Sequence, residues 1–178
     1  MMRVSRIISK FVAGCLLSGG LIFQSNAAII GISIPLSGDF AELGREFRTG
    51  AKLAMEKYGQ DHGMFIADDG CNIDLAQLAV SDLKSQGPAI ITGFLCNEVA
   101  ILAANQFREM QTPLLIAGAR SVRLIKDRER EEWNLWRMSP GDDFGFKAAA
   151  IEIEKLWRDK PFAVVDDGTI FGRTYTDG

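Results

Sequence analysis

The chain has 178 residues, a formal net charge of −3 and 47% apolar residues, which suits one globular domain or one domain with part of another. Lys and Arg total 20 against 23 Asp and Glu, so no basic surface speaks for a nucleic-acid partner. The one histidine, His62 in the polar stretch GQDHG, has no second histidine to build a metal centre with and reads as a turn or surface residue.

The first 27 residues read as a secretory signal peptide. Arg3, Arg6 and Lys10 precede the apolar run FVAGCLLSGGLIF, and Ser25-Asn26-Ala27 offers small residues for cleavage after Ala27. Val12-Ala13-Gly14-Cys15 also matches the box bacteria use to attach lipid to cysteine. Lys10 leaves little apolar sequence ahead of that box, so plain export to the periplasm is preferred over anchoring at Cys15. Cleavage removes Cys15 and leaves Cys71 and Cys96. Two cysteines in an oxidising compartment read as a disulfide, the alternative being two neighbouring free thiols.

From Ile29 onward the chain alternates. Strands are expected at 29–36, 64–68, 89–95 and 114–117, and helices at 41–58, 74–86 and 98–110, with Asp74 as the cap of the second helix. This order predicts an α/β fold, a doubly wound parallel sheet with helices on both faces. The mixed-charge run 123–132 reads as a solvated loop or short surface helix. A strand at 135–138 leads to Pro140-Gly141, which reads as a boundary. A helix at 143–157, a strand at 162–165 and a helix start near Gly172 then open a second series. The domain reading is therefore 1–27 leader, 28–139 an incomplete first lobe, and 140–178 the start of a second.

In open parallel sheets ligands bind beyond the carboxyl ends of the strands. Those ends here are Ser37-Gly38, Asp68 to Cys71, Cys96-Asn97, Gly118 to Ser121 and Asp166 to Phe171. Asn97 opens a helix, where it either caps the helix or contacts a ligand. Gly118 and Ala119 permit close approach to main chain, and Arg120 and Ser121 suit a carboxylate. Asp68-Asp69 and Asp166-Asp167 read as turn and cap residues. The sequence has no GxSxG elbow, no P-loop, no GxGxxG and no histidine triad, so neither an enzyme nor a cofactor is supported.

The stretch IGISIPLSGDFAELGREFRTGAKLA, the segments DDGCNID and GFLCNEV, and FAVVDDGTIFGRT resemble the type I periplasmic binding proteins, the Leu/Ile/Val receptors of ABC transporters. The resemblance implies a Cys71–Cys96 disulfide, a small-molecule ligand of amino-acid type and a membrane permease as partner. It places Asn97, Gly118, Ala119, Arg120, Ser121, Leu43 and Phe171 around the ligand, with no cofactor. Asn97 stands where the family often has a serine, and Leu43 where it often has an aromatic. The family has two complete lobes. The expectation is thus a truncated copy with impaired binding, with a receptor's sensor region or a non-functional remnant as alternatives.

Overall fold

The computed structural model describes residues 27–177. The signal-peptide reading and Cys15 lie outside the described residues. Five parallel strands form one sheet: β1 (Ile29–Ile34), β2 (Gly63–Asp68), β3 (Ile90–Gly93), β4 (Leu114–Ile116) and β5 (Leu135–Arg137), in the order β2-β1-β3-β4-β5. The helices are α1 (Ala41–Tyr58), α2 (Ile73–Gln86), α3 (Asn97–Phe107), α4 (Arg123–Lys126), α5 (Asp143–Trp157) and α6 (Ile170–Asp177).

Alternation along β1 explains the two helical layers. Ile30 and Ile32 face Phe47, Ala51 and Met55 of α1. Gly31 faces the other way, where an added Cβ would lie 2.8 Å from Leu83 of α2. Its missing side chain lets α2 approach. Behind it Leu83, Ile91, Val99, Ala103, Phe107 and Ile116 are buried in the main core. The α1 face is looser, leaving an apolar groove of about 410 Å³ between α1 and the sheet.

Helix α1 meets β1 most tightly at Gly44, where an added Cβ would stand 1.6 Å from the Pro35 carbonyl oxygen. Gly44→Ala is expected to cost about 1–3 kcal/mol, because backbone must move. An unchanged urea midpoint would show that α1 does not lie so close.

Three sequence expectations are corrected. The cap of α2 is Asn72, not Asp74: Asn72 Oδ1 accepts from the N–H groups of Asp74 at 2.9 Å and Leu75 at 3.2 Å. Asp74 lies inside the first turn, where its charge suits the helix dipole. Residues 162–165 form no strand. Val164 and Val165 are exposed, Val165 at 90%, and no described strand pairs with them. An apolar run becomes a strand only where a neighbour takes its main-chain hydrogen bonds. The last helix begins at Ile170, ahead of Gly172. The charged run 123–132 is α4 followed by turns, with Asp127 paired to Arg123 and Arg130.

Candidate functional site

Strand order decides where the site lies. From β1 the chain goes to β2 on one side and then to β3 on the other. That reversal opens a crevice beyond the carboxyl ends of β1 and β3. The backbone there is bent to suit. Gly93 has φ +105°, and a Cβ on it would lie 2.2 Å from the Ser33 carbonyl oxygen. Phe94 follows with φ 55° and is fully buried. The two left-handed residues turn β3 sharply into α3 and bring Cys96 and Asn97 to the crevice.

A cleft of about 480 Å³ occupies this position, a volume ordinary for a small-molecule site. Each tip of the inner sheet contributes a wall: Phe40 after β1, Cys71 after β2, Leu95 to Asn97 after β3, and Gly118 with Arg120 after β4. Cys71 and Cys96 are joined by a disulfide with Cα atoms 5.6 Å apart. It pins the tips of β2 and β3 together at the cleft floor.

Asn97 neither caps α3 nor projects freely. Its Oδ1 accepts from the N–H groups of Arg120 and Ser121, each at 2.9 Å. The other side of the same loop is held by Arg137, whose Nη1 donates to the Arg120 and Ser121 carbonyls, each at 2.8 Å. The loop 118–121 is therefore fastened through both its donors and its acceptors. Gly118 is required here, since a Cβ would lie 2.9 Å from the Leu95 Cα. Asp142 closes the far wall. It is 1% exposed, and its Oδ1 lies 3.7 Å from Arg120 Nε. Burial raises the Asp142 carboxyl above its ordinary range, against the pull of Arg120 and Arg137.

Of the residues expected around a ligand, Asn97, Gly118 and Arg120 line the cleft. Ala119 and Ser121 are buried: the Ala119 N–H donates to the Phe94 carbonyl, and Ser121 Oγ accepts from the Arg123 N–H. Leu43 is 52% exposed on α1 and is not among the residues lining the cleft, where Phe40 stands instead. Phe171 falls within α6, and its side chain lies outside the described residues. Sequence reasoning missed Phe40, Glu98 and Asp142; Asp167 and Thr169 fall in the stretch 166–171 that it pointed to, but Asp167 was expected only as a turn residue and Thr169 was not singled out. Phe40 was findable as the aromatic in the loop that ends β1. Asp142 follows β5 and reaches the cleft only through tertiary packing.

The acidic pairs at the strand ends behave as turn residues. Asp68 Oδ1 accepts from the N–H groups of Leu36, Ser37 and Gly70. Burial acts against ionisation of Asp68, yet these bonds hold its carboxyl below the ordinary range. Asp69 is fully buried and accepts from the Ser33 hydroxyl at 2.8 Å and the Cys71 N–H at 2.9 Å. Burial, with the neighbouring Asp68 charge, raises its carboxyl despite those bonds. A carboxyl raised in the fold contributes stability below its ordinary range and loses it as pH rises through the raised value. Asp69→Asn mimics the neutral form. Its melting temperature relative to wild type is expected to improve between about pH 4 and about pH 7. A constant difference across that range would contradict the raised value.

No protein-family model matches the chain. A Leu/Ile/Val-binding protein of Rhizobium johnstonii is 25% identical over 155 residues, covering 83% of this chain and 41% of that relative. A leucine-binding protein of Thermotoga maritima superposes with TM-score 0.65 and 16% identity, over 85% of this chain and 46% of that one. A solute-binding protein of a Rhodopseudomonas palustris ABC transporter, solved with 4-hydroxybenzoate, superposes with TM-score 0.70 and 17% identity, over 85% and 42%. The chain has the type I periplasmic-binding-protein fold. The lobe thus shares its fold with solute-binding proteins and its sequence likeness with the Leu/Ile/Val-binding proteins. It spans less than half the length of the relatives it matches. No described helix is long and apolar enough to cross a membrane.

Proposed function

We propose that the chain is part of a periplasmic solute-binding component of an ABC transporter of the amino-acid type. The cleft takes a small organic solute, and the loaded protein delivers it to a membrane permease. The observation that carries this reading is the cleft itself. It lies at the switch point of the sheet, is walled by four strand tips, and is fixed by a disulfide between two of them. The relatives support it: those similar in sequence bear the name Leu/Ile/Val-binding protein, and those similar in fold include proteins solved with isoleucine and with aromatic acids. In this reading Asn97, Gly118 and Arg120 are the contact residues of the lobe, while Ala119 and Ser121 shape the loop behind them.

Calorimetric titration of the oxidised chain with leucine, isoleucine, valine and 4-hydroxybenzoate tests the reading. Saturable heat from a small solute is expected, and it should weaken when Arg120 is replaced by alanine. Titrations in which no small solute gives saturable heat would remove it.

A further inference from the structure

We propose that the cleft selects an organic cation, recognising an ammonium group and not requiring a carboxylate. The proposal rests on the solute-binding reading above and names the ligand class of that site.

The first observation is that the main-chain donors of residues 119–121 are already taken. The Arg120 and Ser121 N–H groups both donate to Asn97 Oδ1, and the Ala119 N–H donates to the Phe94 carbonyl. A ligand carboxylate entering beside Gly118 meets the oxygen of an amide where it would need donors, and two acceptors repel each other.

The second observation is independent. Asp142 is 1% exposed at the cleft wall, and neither of its carboxylate oxygens receives a hydrogen bond. Among the described residues its ion-pair partner is Arg120, 3.7 Å away through Nε and outside hydrogen-bond range. That guanidinium is half exposed, and its Nε also points at the Pro140 carbonyl at 3.3 Å. A buried carboxylate without a donor is costly, and it is most cheaply satisfied by a cation that brings several. An ammonium carries three. Burial also raises the Asp142 carboxyl, as expected for an anion whose counter-charge is distant.

The rest of the wall agrees. Glu98 and Asp167 line the cleft with Asp142, three carboxylates against one lining guanidinium, Arg120; Arg137 acts on Asp142 from outside the lining, and Glu98 Oε1 also accepts from the Ile170 N–H at 3.1 Å. Asp167 is held ionised by hydrogen bonds from Thr169. Phe40 and Leu95 supply apolar surface for the ligand's hydrocarbon body, and the Phe40 ring is a further place for a cation to rest. Among the described residues no three acidic, histidine or cysteine side chains converge as metal ligands do. In the bound state the ligand ammonium lies beside Asp142, and Arg120 stays in the cleft wall against the rest of the solute.

Three probes related to leucine test this on the oxidised full chain: 3-methylbutylamine, which is leucine without its carboxylate; 4-methylpentanoate, which is leucine without its ammonium; and leucine, which has both. The amine is expected to bind at least about tenfold more tightly than 4-methylpentanoate. Asp142→Asn is expected to weaken the amine at least about tenfold, with circular dichroism unchanged. If Asp142→Asn does not fold, Glu98→Gln decides, with severalfold weaker amine binding and no loss of carboxylate binding. Binding of 4-methylpentanoate as tight as the amine, or amine binding unaffected by these substitutions, overturns the cation proposal and leaves the solute-binding reading in place. No binding of any of the three probes or of the solutes above overturns both.

Discussion

Replacing Cys71 and Cys96 together by serine is expected to destabilise the lobe by about 3–4 kcal/mol. The bridge closes a loop of 25 residues, and in the chain-entropy account a loop of that size restricts the unfolded chain by this amount. For a chain of this length the melting temperature should fall by roughly 10 °C. Function should suffer as well. Both sulfurs lie at the cleft, and Cys71 sits in the left-handed region with φ 50°, a conformation the bridge helps to hold. Thermal scans of oxidised and reduced protein provide the check. Equal melting temperatures would mean that the strand tips are held by packing alone.

The second large effect is expected at Asn97. Alanine there strands two N–H groups of a loop in which Ala119 and Ser121 are buried, at roughly 2–4 kcal/mol for the pair. Serine is the more informative replacement. It keeps an acceptor but is too short to serve both N–H groups, so one becomes free for a ligand. Asn97→Ser is therefore expected to be less destabilised than Asn97→Ala and to gain affinity for 4-methylpentanoate relative to wild type. Unfolding midpoints and titrations of the two variants measure both effects. Equal stability of Asn97→Ala and wild type would show that water replaces the amide without loss.

The fold was largely open to a reader of the sequence, because apolar spacing reports which face of an element is buried. Helices α1 and α5 run over the expected residues, and the β-α alternation gives the parallel sheet. Where expectation failed, the deciding information was not local. Asp74 and Asn72 are both good caps, and only the backbone shows which one turns its side chain inward. The run at 162–165 has strand composition, but composition carries no knowledge of a neighbour. The site was legible to the extent that chain ends of strands are legible. Asn97, Gly118 and Arg120 reach the cleft because β3 and β4 deliver them there. The use of Asn97 as a clasp on a loop more than twenty residues away, and the arrival of Asp142 from beyond β5, depend on contacts that no spacing rule encodes.

Strand β5 has one further implication. It pairs with β4 on its inner side and with no other described strand. Beside that open rim Trp136 and Met138 are largely exposed, with the Arg128 cation laid over the indole. Unpaired strand rims template the addition of another chain. Dilution should thus keep the molecules separate, while concentrated stocks should thicken into rim-to-rim stacks, visible as light scattering that grows faster than concentration. Gatekeeper charges placed at Met138 would then extend shelf life without touching the crevice.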